Sequence, residues 1–161
     1  MEQNYYFKNS FSRFIEICGE DRSNFLQGLI TNDINKCNKN NAIYSCFLSP
    51  QGKFLADFFI INIGNSYLIE IHEKFFKSFL LKLKIYKLKS KIIFKENINF
   101  LSLIIFTNND ISLDKDIIFF KDPRNENLGT KVYYKIGSND LKILKEFKEK
   151  KIKIYNEIIL K

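Results

Sequence analysis

Asp21-Arg22-Ser23-Asn24-Phe25-Leu26-Gln27-Gly28-Leu29-Ile30-Thr31-Asn32-Asp33 follows a strand-like apolar run, Phe14-Ile15-Glu16-Ile17-Cys18-Gly19. Asp21 suits a helix N-cap, because its carboxylate can accept the first N–H bonds that a helix leaves unpaired. Phe25, Leu26, Leu29 and Ile30 then make a one-sided apolar face, and polar Thr31-Asn32-Asp33 closes the run. The order is strand, capped helix to about Asn32, polar tip. Taken alone, the pattern is that of a core helix.

Outward from this stretch, Asn35 to Asn41 reads as a polar loop and Ala42 to Leu48 as a strand, with Tyr44, Cys46 and Leu48 on one face. Ser49-Pro50-Gln51-Gly52-Lys53 is a tight turn, since proline fixes one backbone angle and glycine permits a positive one. Phe54 to Ile63 returns as a long strand, Gly64-Asn65 is a second hairpin signal, and Ser66 to Ile71 is the next strand. Glu73 to Lys87 has its acid at the start and lysines at the end, the order a helix dipole favours. Lys91 to Lys95 is a strand, and Met1 to Ser12 a lead-in whose Tyr5, Tyr6 and Phe7 pack on a core. Residues 1–95 therefore predict an α+β domain, β-α-β-β-β-α-β, an antiparallel sheet with helices on one face.

Residues 96–161 predict a second, incomplete α+β segment that completes or packs on the first. Ile98 to Phe106, Ile117 to Phe120 and Lys131 to Ile136 read as strands, separated by a polar loop, the Lys121-Asp122-Pro123-Arg124 break and the Leu128-Gly129 turn. Ser138-Asn139-Asp140 opens a predicted helix carrying Leu141, Leu144 and Phe147. Lys148 to Lys153 is expected to be solvated, and Tyr155 to Leu160 starts another amphipathic helix.

Composition narrows the function classes. The 161 residues are 45% hydrophobic with 17 Phe, enough for a core and unlike a disordered chain. No apolar run reaches the roughly 18 residues of a membrane span, and the first ten residues lack a secretory signal; the expectation is a soluble, cytoplasmic protein. Net charge is +8, but lysine outnumbers arginine 23 to 3 and is spread along the chain. Without arginine forks a nucleic-acid surface is not expected. Cys18 and Cys46 lie in strand-like runs and are expected to be buried thiols, whereas Cys37 falls in the polar loop. There is no phosphate-binding glycine loop and no metal-spaced His/Cys set. His72, at a strand end, is expected to be structural or at the surface, with proton transfer as its alternative.

Three residues are candidate ligand groups. Asp57 interrupts a strongly apolar strand, and a buried carboxylate needs a partner, a ligand or water. Alternation sets it on the face of Leu55, Phe59 and Ile61. Counting back from the turn, Tyr44 falls nearly opposite Asp57, and Asn32 follows the helix tip. A Tyr, an Asn and an Asp around one cleft could grip a flat heteroaromatic ligand. Their plain alternatives are an edge-strand aspartate, a packed tyrosine and a helix-ending asparagine.

Asp21-Arg22 with Phe25-Leu26-Gln27-Gly28-Leu29-Ile30-Thr31-Asn32-Asp33, then Leu48-Ser49-Pro50-Gln51-Gly52-Lys53 and Ala56-Asp57, closely resemble the YgfZ-type folate-binding proteins. These are relatives of the glycine-cleavage aminomethyltransferase. Asp122-Pro123-Arg124 and Leu128-Gly129 are similar to a further segment of that family. The resemblance implies an aminomethyltransferase-like folate-binding fold and a non-enzymatic accessory role in iron–sulfur cluster assembly or maintenance. Tetrahydrofolate is the implied cofactor and iron–sulfur proteins the implied clients; Asp57 and Tyr44 match family positions at the folate site. The family's downstream K-G-C-Y-x-G-Q-E motif is absent, which implies a truncated or split form that a second chain would complete. One-carbon transfer as an aminomethyltransferase, or a degenerate inactive remnant, are the alternatives.

Overall fold

The computed structural model describes residues 4–96, 100–107, 109, 111, 113, 117–137, 144–145 and 147–150. The chain divides into two compact units, Phe11–Ile98 and the combination of Met1–Ser10 with Asn99–Lys161. This differs from the expected ranges 1–95 and 96–161 chiefly in the first ten residues. They are not a lead-in to the first unit: Tyr5–Lys8 is a strand, β1, of the other one.

Among its described residues the first unit is a five-stranded sheet with two α-helices. Its strands are β2 (Ser12–Gly19), β3 (Ile43–Leu48), β4 (Phe54–Asn62), β5 (Ser66–His72) and β6 (Ile92–Glu96). They lie in the order β3-β4-β5-β2-β6, every pair antiparallel. Helices α1 (Arg22–Gln27) and α2 (Glu73–Tyr86) pack on one face, as the α+β reading requires. Ile15, Ile17, Ile43, Phe47, Phe58, Ile60, Ile69 and Ile71 meet Phe25 and Leu26 of α1 and Phe79, Leu80 and Leu83 of α2. Phe79 sits 4.8 Å from Phe58 and 5.5 Å from Phe47, ring to ring. Burying such side chains stabilises the unit by about 1.5–3 kcal/mol each.

α2 matches its predicted span to within a residue, and His72 explains its start. The His72 Nδ1 accepts the Lys74 N–H at 3.1 Å, so the histidine is the N-cap. α1, by contrast, ends at Gln27 rather than near Asn32. Ile30 bridges Phe47, and the Thr31 N–H donates to Cys46 O at 3.1 Å, so the polar tip leaves the helix to extend the sheet beyond β3. Nor does Asp21 cap α1 with its side chain; its Oδ2 accepts the Lys91 N–H at 2.7 Å.

Among the described residues the second unit is also a five-stranded sheet: β1, β7 (Phe100–Phe106), β8 (Ile118–Lys121), β9 (Thr130–Lys135) and β10 (Lys148–Lys150), in the order β10-β1-β7-β9-β8. Only β1 and β10 run parallel. Lys148–Lys150, expected to be solvated, is therefore an edge strand whose backbone is paired. Tyr6 and Lys8 donate to Glu149 Oε2 at 2.9 and 3.0 Å across that pairing. Leu144 and Phe147 pack on a core of Tyr6, Leu103, Ile105, Ile117, Val132 and Tyr134. The predicted helix openings at Ser138 and Tyr155, and Leu141, lie outside the described residues.

Candidate functional site

The Ser49–Lys53 turn sets β3 against β4. Ser49 N–H donates to Lys53 O at 2.8 Å, and its hydroxyl accepts from the Gln51 and Lys53 N–H groups at 3.2 Å. Gly52 takes φ +76° at the corner. A register shift at Phe47/Leu48 then changes the count back from the turn. Asp57 pairs with Cys46, and Tyr44 with Phe59, so Tyr44 and Asp57 are diagonal neighbours rather than opposite ones. All four lie on the sheet face away from the helices, and the two side chains meet. Tyr44 Oη donates to Asp57 Oδ2 at 2.6 Å, a short charge-assisted bond.

The pair is half-buried. Phe59 flanks it, its ring 5.2 Å from that of Tyr44 and inclined at 53°. Asp57 Oδ1 accepts no hydrogen bond from the described residues, so one carboxylate oxygen is braced and the other is available. A carboxylate held this way accepts N–H groups from a planar amide or amidine edge.

Asn32 reaches the same strand differently. Its Nδ2 donates to Tyr44 O at 3.0 Å, while its Oδ1 accepts the Asp33 N–H at 2.8 Å. The amide thus fastens the tip to β3 beside Tyr44. Gln27 ties the other side, accepting the Ile34 N–H on Oε1 at 2.7 Å. Thr31 Oγ1 accepts the Cys46 N–H at 2.9 Å. These bonds show why the tip is polar: Asn32 and Thr31 pair backbone groups of β3, and Gln27 pairs backbone groups of the tip itself. Gln27 was not among the sequence candidates, since its partner lies seven residues away.

The cysteines reverse their expected order of burial. Cys37 is 5% exposed, and its Sγ donates to Ile60 O at 3.3 Å, because the polar loop folds back onto β4. Burial pushes its thiol up to about 12. Cys18 and Cys46 are half-buried. The Cys46 thiol is raised first by burial and then by the Asp57 charge across the ladder; the Cys18 thiol is raised by burial and by Glu16. The unfolded Cys37 thiol ionises near 9 while the folded one keeps its proton to about 12. Its stabilising preference is therefore full below pH 9 and is lost as the pH rises through that interval. In native protein, Cys18 and Cys46 should react with a thiol reagent while Cys37 waits for unfolding. Mass spectrometry of the labelled peptides checks this, and early labelling of Cys37 would contradict the packing.

Among the described residues no group of three or more His, Cys, Asp or Glu side chains is placed to hold a metal. No described helix is long and apolar enough to cross a membrane.

No protein-family model matches the chain. It is 38% identical over 86 residues to the iron-sulfur cluster assembly factor IBA57 homolog of Neurospora crassa, a match covering 49% of this chain and 20% of that protein. It is 32% identical over 91 residues to the homolog of Mycosarcoma maydis, covering 48% and 23%. The chain thus spans about a fifth of the length of the curated relatives it matches. Both are named mitochondrial, which does not match the cytoplasmic expectation. Its fold is similar to that of the glycine cleavage system aminomethyltransferase T from Bartonella henselae, with a TM-score of 0.70 at 11% identity, over 89% of this chain and 45% of that one. In fold the chain is similar to aminomethyltransferase T, and about half of it is similar in sequence to the iron–sulfur cluster assembly factors, in each case over part of the other protein's length.

Proposed function

We propose that the chain is an accessory protein of iron–sulfur cluster assembly or maintenance, and that it binds tetrahydrofolate through Asp57 and Tyr44. The Tyr44–Asp57 bond at 2.6 Å carries this reading. It leaves one carboxylate oxygen to accept the adjacent N–H groups on the edge of a pterin ring, and the Phe59 and Tyr44 rings supply flat apolar flanks. Asn32 is a positioning residue here, fixing the β3 backbone at Tyr44. Iron–sulfur proteins are the clients this reading implies, and a second chain that supplies further parts of the fold belongs to the same proposal. The sequence likeness is to assembly factors, whereas the likeness to an aminomethyltransferase is one of fold. The non-enzymatic role is therefore preferred.

Isothermal titration with tetrahydrofolate tests it. Wild type should bind, and Asp57→Ala should bind at least about tenfold more weakly, the loss of one charged hydrogen-bond acceptor. Tyr44→Phe should give a smaller loss. No heat with wild-type protein, or equal affinity in Asp57→Ala, would count against the proposal.

A further inference from the structure

We infer that the end of the first unit's sheet carrying the Pro50 hairpin docks a short acidic segment of a partner protein, one bearing aliphatic or aromatic side chains. Four rings run along that end in an unbroken row. Phe11 stacks on His72 with centroids 5.5 Å apart and planes 4° from parallel. His72 meets Phe75 at 6.4 Å, and Phe75 meets Phe54 at 5.7 Å, both edge to face. Phe11 is 41% exposed and Phe54 54%. Leu48, which pairs with Phe54, is exposed beside them. Large apolar side chains scattered singly need no explanation, but a contiguous row of them marks an interaction surface.

The chemistry around the row selects the occupant. Exposed Lys53 precedes Phe54 in the chain and Lys74 lies over Phe75, while Glu73 is tied to Arg13 at 2.7 Å. His72 accepts on Nδ1, which leaves Nε2 of this exposed residue to donate. Ring edges carry partial positive charge. Phe11 and His72 cover one face of each other, and the Lys74 ammonium lies 4.6 Å over Phe75. Two copies of the chain would oppose their lysines. Carboxylates interspersed with apolar side chains satisfy both the edges and the cations. Neither Tyr44 nor Asp57 takes part, so the inference stands apart from the folate proposal.

Fluorescence anisotropy on the full chain tests it with three labelled probes: a synthetic peptide of leucine, phenylalanine and glutamate, the same peptide with lysine for each glutamate, and oligothymidylate. The acidic peptide should bind, and more weakly as salt rises. The double variant Phe11→Ser with Phe54→Ser should weaken it at least about tenfold, as loss of central aromatic anchors does. Lys53→Glu with Lys74→Glu should do the same, and these exposed charges can change without disturbing the core, which a thermal melt verifies. No binding of the acidic peptide at millimolar concentration, equal binding of the lysine peptide, tighter binding of oligothymidylate, or wild-type affinity in either double variant would overturn the inference.

Discussion

Gly19→Ala should cost the first unit about 3–5 kcal/mol, a large part of the roughly 5–15 kcal/mol that holds a domain together. Gly19 ends β2 at φ +115°, a conformation that L side chains rarely adopt. The larger penalty is steric. A Cβ there would lie 2.1 Å from Lys91 O and 2.8 Å from Ile92 Cα. Both are backbone atoms, so no rotamer change relieves the clash; β6 must move. Gly19 pairs with Ile92 and Cys18 with Ile93, so the shift opens the β2–β6 ladder. It also exposes Ile92, which is 2% exposed in the core under α1. Gly52→Ala is the matched control. Gly52 also has a positive φ, +76°, but a Cβ on it meets nothing within 4 Å, so it should cost only about 1 kcal/mol. Urea unfolding followed by circular dichroism compares the two. Equal losses would show that backbone conformation, rather than the Lys91 contact, sets the cost at Gly19.

The sequence showed most clearly the parts of the first unit whose determinants are local. Period-two strands flanking the Pro50-Gly52 and Gly64-Asn65 turns run within about a residue of the observed β3, β4 and β5. α2 was equally plain from its apolar spacing and its charge order. What stayed hidden depends on distant partners. The apolar Leu29-Ile30 pair continues the helical pattern, yet Ile30 leaves the helix because Phe47 and Cys46 offer it a sheet edge. β1 is four residues long, and its partners are Leu103 to Phe106, about a hundred residues on. Cys37 looked exposed because its neighbours are polar; their side chains face water while its own turns inward onto Ile60. At the candidate site, alternation correctly set Tyr44 and Asp57 on one face. The register shift at Phe47/Leu48 could not be counted from the turn: carried back from the Leu48–Phe54 pair, Tyr44 would face Phe58, and the shift sets it against Phe59, diagonal to Asp57. The tyrosine is long enough to span the diagonal, so the contact survived the miscount.

Asp122→Ala should destabilise the second unit by about 2–3 kcal/mol. The Asp122 side chain is fully buried at the start of the loop joining β8 to β9, and three donors converge on it. Arg124 supplies all three: its backbone N–H at 3.0 Å and Nε at 2.9 Å to Oδ1, and Nη2 at 2.7 Å to Oδ2. This is a forked, charge-assisted pair closed over two residues, with Pro123 between them to restrict the backbone. Removing one partner of a fully buried ion pair costs about 3–5 kcal/mol. Arg124 keeps 24% of its side chain exposed, so water repays part of that, and the expected loss is lower. Asp122→Asn separates charge from shape. It retains an acceptor for the Arg124 backbone and Nε, but it sets an amide N–H₂ against Nη2, so its loss should be intermediate. The loop's far end explains the spacing to Gly129. Asp122 N–H donates to Gly129 O at 3.0 Å, and Gly129, at φ +85°, brings its backbone so close to β7 that a Cβ would lie 2.7 Å from Ile105 O. The carboxylate therefore fixes one end of the loop and the glycine the other, and β9 enters the sheet between β7 and β8 only when both hold. Hydrogen exchange gives the decisive reading: in Asp122→Ala, protection should fall across Thr130–Lys135 while the β3–β4 amides of the first unit keep theirs. Unchanged protection in β9, or Asp122→Asn as stable as wild type, would mean that the forked charge pair is not what closes the loop.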